Sequence, residues 1–299
     1  MDSLPQAAVA PAESVALPLR TRDGLALAAE HVAGAGPGLL LAHGFGQTRQ
    51  AWRSTQQRLA EAGRASLAWD GRGHGQSERN PVGSRYSGEQ FVDDVGTAAR
   101  ALGRAPILVG ASMGGLTGLM VQARDRVFSA LVLVDITPRW EAAGVERILG
   151  FMNAHPDGFD SFEHAAEQIA AYLPHRREKK SPAQLAHLLV KRADGRLGWH
   201  WDPRLLTEFI PDTDGLQHVI EDACRDLDVP VLLVSGGRSD LVTDRTVGHF
   251  LELAPHARHV ELPQATHMVA GDDNSAFTDT LLQFLHDLPA PTAAHGDPR

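Results

Sequence analysis

One short segment of this 299-residue chain fixes most of what the chain can fold into. An apolar run at residues 105–109 leads into the sequence GASMGG at 110–115, and a helix-like pattern follows to Arg124. A strand that turns sharply into a helix needs glycine where side chains would collide, as at positions 110 and 114. Such a turn lifts one hydroxyl out of the sheet, and the N-terminus of the helix presents free N–H groups to it. The segment therefore predicts a strand–turn–helix unit with Ser112 as a nucleophile.

The rest of the chain follows an alternating pattern that predicts the fold class. Short apolar runs alternate with helix-like segments over residues 38–134, and the alternation resumes over 229–286. Fully apolar strands separated by helices indicate a parallel sheet that is covered on both faces. We therefore predict an α/β fold with a doubly wound, mostly parallel sheet.

The interval between the two alternating stretches predicts an insertion. It contains only helix-like patterns, broken by glycine, proline and polar clusters. We expect a helical lid at residues 138–226, over the edge where such sheets bind ligands, and a core at 15–137 and 227–288. Residues 1–14 are rich in alanine and proline and are expected to form a disordered lead, and 289–299 a flexible tail.

Composition limits the partners and the compartment. The net charge is −9 and no block of lysine and arginine occurs, so we expect neither nucleic acid nor an anionic membrane surface as a partner. No stretch approaches the roughly 20 apolar residues of a membrane span. The single cysteine, Cys224, lies in a polar stretch and is predicted to be a plain thiol, which favours a reducing, cytoplasmic location. The oligomeric state is left open.

A serine nucleophile needs a base, and the base needs an acid that fixes its tautomer. In a doubly wound sheet these partners follow later strands, in the order Ser, Asp or Glu, His. His267 follows the last predicted strand and is the predicted base. Asp240, after the strand at 229–234, is the predicted acid, with Asp135 and Asp244 as alternatives.

The oxyanion that forms on the substrate needs two N–H donors. We expect one from the backbone of Met113, directly after the serine, and the other from Phe45 in the loop at 43–47. Glycine at positions 44 and 46 lets the backbone of this loop approach a substrate closely, although it also suits a tight turn.

Four residues are expected to line the substrate pocket, namely Gly44, Gly46, Trp140 and Met268. The aromatic sequence WHWDP at 199–203 is a further candidate for the pocket wall, although packing of the lid onto the core would explain it equally well.

A dinucleotide-binding oxidoreductase is an alternative from another class. The loop at 44–49 reads G-x-G-x-x-R after a strand, and Asp70 ends the next strand. However, Arg49 stands where a small residue should let the helix pack on the strand. This interpretation also leaves Ser112, Asp240 and His267 unexplained.

Together these motifs resemble those of the α/β-hydrolase superfamily, over about residues 15–288. The segment at 110–115 resembles its nucleophile elbow, the sequence HGFG at 43–46 its oxyanion loop, and DGRGHGQS at 70–77 a loop of its esterase and haloperoxidase-like branches. The resemblance implies an eight-stranded sheet, no cofactor and no metal. Some branches that cleave epoxides or haloalkanes carry aspartate at the elbow, whereas this chain has Ser112.

The resemblance implies a serine hydrolase that cleaves a small carboxylic ester, thioester or lactone through an acyl-enzyme. A carbon–carbon bond hydrolase of the diketone type uses a similar elbow and is the main alternative. A small-ligand receptor that retains the triad is a third.

Overall fold

The structure is a computed structural model that describes residues 13–172, 181–209, 213–269 and 275–289. Its strands are β1 (Ser14–Ala16), β2 (Leu19–Arg20), β3 (Ala26–Leu27), β4 (Ala29–Val32), β5 (Ala35–Ala42), β6 (Arg64–Trp69), β7 (Ile107–Ala111), β8 (Ala130–Val134), β9 (Leu189–Lys191), β10 (Leu197–Trp199), β11 (Val231–Gly236) and β12 (Arg258–Leu262). Its helices are α1 (Arg53–Glu61), α2 (Gly88–Ala101), α3 (Met113–Asp125), α4 (Ala142–Asn153), α5 (Phe162–Tyr172), α6 (Pro182–Leu185), α7 (Leu205–Glu208), α8 (Thr213–Arg225), α9 (Asp244–Leu253) and α10 (Ser275–Asp287).

The main sheet has eight strands in the order β1-β4-β6-β5-β7-β8-β11-β12. β4 pairs antiparallel with both of its neighbours, and the remaining adjacent pairs are parallel. The predicted doubly wound, mostly parallel sheet is therefore confirmed. Because the parallel strands run in one direction, the loops after β5, β7, β8, β11 and β12 emerge at one edge.

Helices cover both faces of the sheet because successive strand residues point to opposite sides. In β5, Leu40 belongs to the buried cluster on one face, with residues of α2, α3 and α9. Its neighbours Leu39 and Leu41 belong to the cluster on the other face, with Phe277 and Leu281 of α10. Strands buried on both sides explain the continuous apolar runs of the sequence.

The insertion between β8 and β11 is not purely helical, and the prediction is wrong in this respect. Besides α4 to α8 it contains the antiparallel hairpin β9–β10, in which Gly198 lies opposite Val190. The hairpin turns through Gly195 at φ +85°, a conformation that favours glycine. The strands have three residues each, too few to produce a visible alternation in the sequence.

Most of the predicted lead and tail lies outside the described residues. The described chain is already in β1 at Ser14, which pairs with Val32 of β4. No helix in the described part of the chain is long and apolar enough to cross a membrane.

Candidate active site

Ser112 stands at the junction of β7 and α3 in a conformation that few residues adopt. Its backbone has φ +46° and ψ −115°, and its N–H donates to the Val134 carbonyl, 3.1 Å away. A side chain at Gly110 would place its Cβ 2.6 Å from the Gly114 oxygen, and one at Gly114 would overlap the Ala42 carbonyl. The two glycines therefore permit the sharp strand-to-helix turn that presents the serine.

The loop after β5 lies directly against the serine. A methyl group on Gly44 would lie 3.3 Å from Ser112 Cβ, and the Gln47 side chain accepts a hydrogen bond from the Gly44 N–H at 2.9 Å. Among the described residues, the backbone N–H groups of Phe45 and Met113 have no hydrogen-bond acceptor. Both predicted oxyanion donors are thus adjacent to Ser112 and unengaged.

His267 follows β12 and contacts the carboxylate of Asp135, which follows β8. The distance from His267 Nδ1 to Asp135 Oδ2 is 2.7 Å. Asp135 is fully buried and also accepts hydrogen bonds from the Gly236 N–H and the Ser239 hydroxyl, at 2.8 and 2.6 Å. Because an ionised carboxylate only accepts, Nδ1 carries the proton, which leaves Nε2 of the neutral ring able to accept one.

Asp240 does not occupy the position that the sequence analysis predicted for the acid. Its carboxylate is 3.0 Å from the guanidinium of Arg147 on α4. Asp135 instead approaches the histidine because its backbone turns at φ +50° as β8 ends. The Gly236 N–H, at the end of β11, and the Ser239 hydroxyl, in the loop that carries Asp240, then hold the Asp135 carboxylate.

Close packing at the end of β11 brings the histidine loop into place. A Cβ at Gly236 would lie 2.6 Å from the Ala265 oxygen and 2.7 Å from the Thr266 oxygen. On the opposite side, the Gln47 amide contacts the Met268 sulfur at 3.4 Å. The loops after β5 and β12 are therefore tied together on either side of the site.

Three buried histidines support the loop that carries Phe45. Gly46 donates its N–H to His74 Nε2 and accepts from His200 Nε2, each at 3.2 Å, and His200 Nδ1 accepts from the Gly75 N–H. His43 and His74 each bond a backbone carbonyl through Nδ1 and a backbone N–H through Nε2. Each ring thus has one nitrogen that donates and one that accepts, which requires the neutral form. Burial lowers the pKa of all three.

Two cavities meet at the serine. The polar cavity, of about 230 Å³, is lined by Ser112, His267, Arg147, Arg238 and Asp240, together with apolar side chains. The apolar cavity, of about 770 Å³, extends from the serine along α3.

The predicted pocket residues divide between the two cavities. Gly44, Gly46 and Met268 line the polar cavity, with Trp199 of the aromatic segment, whereas Trp140 lines the apolar cavity. Sequence reasoning missed Arg147, because an arginine in the middle of an amphipathic helix resembles any solvent-exposed charge.

The geometry also weighs against dinucleotide binding. Asp70, the residue proposed for a ribose, is fully buried and accepts a hydrogen bond from the Arg49 N–H at 2.7 Å. The Arg49 guanidinium also pairs with the Asp70 carboxylate. The Asp70 carboxylate therefore has its hydrogen-bonding partners within the protein, and no part of it is presented at the surface.

Comparisons with known proteins show the family of the chain. The chain is 29% identical over 264 residues to the esterase Rv0045c of Mycobacterium tuberculosis, covering 85% of this chain and 84% of the relative. It is 26% identical to the 2-(acetamidomethylene)succinate hydrolase of Mesorhizobium japonicum, covering 79% and 83%. A crystal structure of E-2-(acetamidomethylene)succinate hydrolase superposes with a TM-score of 0.78 at 23% identity, covering 92% of this chain and all of the other. The family model described as "Alpha/beta hydrolase family" matches residues 39–280, and the chain therefore belongs to that family.

Proposed function

We propose that the protein is a serine hydrolase that cleaves a carboxylic ester, thioester or lactone, with Ser112, His267 and Asp135 as its triad. The observation that carries the proposal is the 2.7 Å contact between His267 and the buried Asp135, in a cavity that Ser112 also lines. The name of the M. tuberculosis relative, an esterase, supports ester chemistry.

The proposed reaction has two steps. His267 Nε2 accepts the hydroxyl proton of Ser112 while the serine oxygen attacks the carbonyl carbon. The amides of Phe45 and Met113 donate to the oxyanion, the bond to the leaving group breaks, and the leaving-group atom takes the proton from His267. Water then gives a proton to His267 and attacks the acyl carbon. The bond between that carbon and the Ser112 oxygen breaks, and His267 returns the proton to the Ser112 oxygen, which releases the acid and restores the serine.

The buried carboxylate of Asp135 favours these proton transfers. When His267 is protonated, its Nδ1–H still points to the Asp135 oxygen, and the positive ring is stabilised by the adjacent negative charge. The hydrogen bonds from Gly236 and Ser239 hold that carboxylate in one orientation.

The insertion at residues 138–226 is proposed to act as the lid of this site, because Arg147, Phe151 and Trp199 line the polar cavity. The free, buried thiol of Cys224 supports a reducing compartment and hence a cytoplasmic location.

Labelling with a fluorophosphonate tests the proposed function. The reagent should lose fluoride and form a phosphonate ester on Ser112, which peptide mass spectrometry locates. Ser112→Ala should not react, whereas the control Ser129→Ala should react like the wild type, since the Ser129 hydroxyl bonds the Ala105 carbonyl outside the site. Absence of labelling in the folded wild type would contradict the proposal.

A substrate panel then separates the chemical classes. The wild-type enzyme should turn over p-nitrophenyl esters, and Ser112→Ala should lose this activity. Cleavage of a diketone without cleavage of any ester, thioester or lactone would replace the proposed reaction by carbon–carbon bond hydrolysis.

A further inference from the structure

The polar and apolar cavities share only three lining residues, Phe45, Ser112 and Ile148, among the residues that the structure describes. Phe45 and Ile148 therefore separate the two spaces, and the serine stands where they join. A substrate bound to Ser112 can extend into both cavities, with the scissile bond at the junction.

The apolar cavity follows one face of α3 away from the serine. Met113, Leu116 and Met120 line it at spacings of three and four residues, so that they share a helix face. The lining continues to Arg124, eleven residues after Met113, which corresponds to about 16 Å along the helix axis.

Apolar side chains from the insertion form the facing wall. Val145 and Leu149 of α4 and Ile220 of α8 line the cavity together with the side chains of α3, and Val219 of α8, also in the lining, is 50% exposed. Contiguous apolar surface left open to water usually marks a binding site.

Among the described residues, the lining of the apolar cavity presents few hydrogen-bonding groups to a polar ligand. The Thr117 hydroxyl is engaged, because it donates to the Met113 carbonyl at 2.8 Å. Charged side chains enter the described lining only as Glu89, in the first turn of α2, and Arg124, in the last turn of α3. Burying a hydroxyl or charge along the middle of this cavity would cost free energy without a compensating hydrogen bond.

The polar cavity differs because charged side chains line it beside its apolar ones, and it contains the proposed base. Arg147, Arg238 and Asp240 line it together with His267, which does not line the apolar cavity. In the reaction above, the leaving-group atom takes its proton from His267 and water is activated by the same ring. The leaving group must therefore lie in the polar cavity, and the acyl chain is directed into the apolar one.

We infer that the substrate is an ester or thioester of a medium-chain aliphatic acid with a compact, polar leaving group. The inference rests on the proposed function, to which it adds the orientation of the substrate and its chemical class. The apolar cavity, at about 770 Å³, accommodates the chain, and the polar cavity, at about 230 Å³, restricts the leaving group.

Hydrolysis of p-nitrophenyl esters of increasing acyl length tests the inference with the leaving group held constant. A methylene moved from water into an apolar cavity gains about 0.8 kcal/mol, which corresponds to about fourfold in kcat/KM. Wild-type kcat/KM should therefore rise at least about tenfold from acetate to octanoate. A flat or falling profile would overturn the inference.

Two matched variants locate the acyl chain. Leu116→Trp fills the apolar cavity one turn from the serine and should lower kcat/KM for octanoate at least tenfold relative to acetate. Leu188→Trp fills the polar cavity and should leave the acyl preference as in the wild type while lowering activity toward all p-nitrophenyl esters. Val145→Phe, on the facing helix, repeats the first test if Leu116→Trp does not fold. A loss of the octanoate preference in Leu188→Trp alone would overturn the assignment.

The outcomes also separate this inference from the proposed function. If the wild type reacts with the fluorophosphonate and hydrolyses the acetate but shows no preference for longer chains, the inference fails and the proposed function stands. If no labelling and no acetate hydrolysis occur, the proposed function itself fails.

Discussion

The three buried histidines His43, His74 and His200, here called the histidine cluster, predict a loss of stability in mild acid. The size of that loss can be calculated for His200. Burial lowers the pKa of His200 from 6.5 to about 4, and its side chain is only 4% exposed. The positive charge of Arg79 lowers it further, whereas the bond to the Gly46 carbonyl and the charge of Asp70 oppose the shift.

The direction in which stability changes with pH follows from the lowered pKa of His200. Below pH 6.5 the unfolded chain takes up a proton at His200 that the folded protein accepts only near pH 4. The contribution of this group to stability is therefore fully present above pH 6.5 and is lost as the pH falls toward 4. Between pH 7 and pH 5 it removes about 2 kcal/mol from the free energy of unfolding.

His200→Gln removes the titration while keeping an amide that can donate and accept. Urea unfolding, followed by tryptophan fluorescence at pH 7 and pH 5, should show a pH-dependent loss about 2 kcal/mol smaller in the variant than in the wild type. His187→Gln is the control, since His187 is exposed in the turn after α6 and should leave the loss unchanged. An equal loss in wild type and His200→Gln would show that His200 does not carry this pH dependence.

Three other regions give predictions of their own. Arg72→Met leaves the buried carboxylate of Asp94 without the guanidinium that donates to it at 2.6 and 2.7 Å. The free energy of unfolding in urea should fall by about 3–5 kcal/mol, and a loss below about 1 kcal/mol would contradict this. Gly46→Ala places a methyl group 2.5 Å from Met152 Cε, at a residue whose φ of +75° favours glycine, and should displace the adjacent amide of Phe45. We expect kcat to fall at least about tenfold, and an unchanged kcat would remove this amide from the mechanism. Burial raises the pKa of the Cys224 thiol to about 12, so iodoacetamide at pH 8 should alkylate it only after unfolding, and equal rates in both states would contradict its burial.

The sequence was most informative where local geometry demands particular residues. The strand–turn–helix unit around Ser112 could be predicted because Gly110 and Gly114 have no sterically acceptable replacement. The sheet could be predicted because strands buried on both faces must be apolar throughout. His267 could be placed because only one loop follows the last strand.

The sequence could not identify the acid. Asp135 and Asp240 both follow strands that end at the same edge of the sheet, β8 and β11, and chain order fits either one. The choice depends on a positive φ at Asp135 and on donors from Gly236 and Ser239, which lie about 100 residues further along the chain. It also depends on Arg147, which pairs with Asp240 and lies in a separate helix.

The histidine cluster could not be predicted for the same reason. The hydrogen bond between Gly75 and His200 joins residues 125 positions apart, across the boundary between core and insertion. No local pattern identifies such a contact. The hairpin β9–β10 was missed because its strands are too short to show a period.

A comparison of Asp135→Asn with Asp240→Asn tests the proposed triad most directly. Asparagine tolerates the positive φ of Asp135 and retains an acceptor for the Gly236 N–H, so the fold should survive, which the thermal midpoint would verify. Loss of the carboxylate that holds the His267 tautomer should lower kcat for p-nitrophenyl acetate by about 10³-fold or more. Asp240→Asn should leave kcat nearly unchanged and act mainly on KM, because Asp240 contacts Arg147 and not the base. A large loss of kcat in Asp240→Asn together with an active Asp135→Asn would contradict the triad proposed for this enzyme.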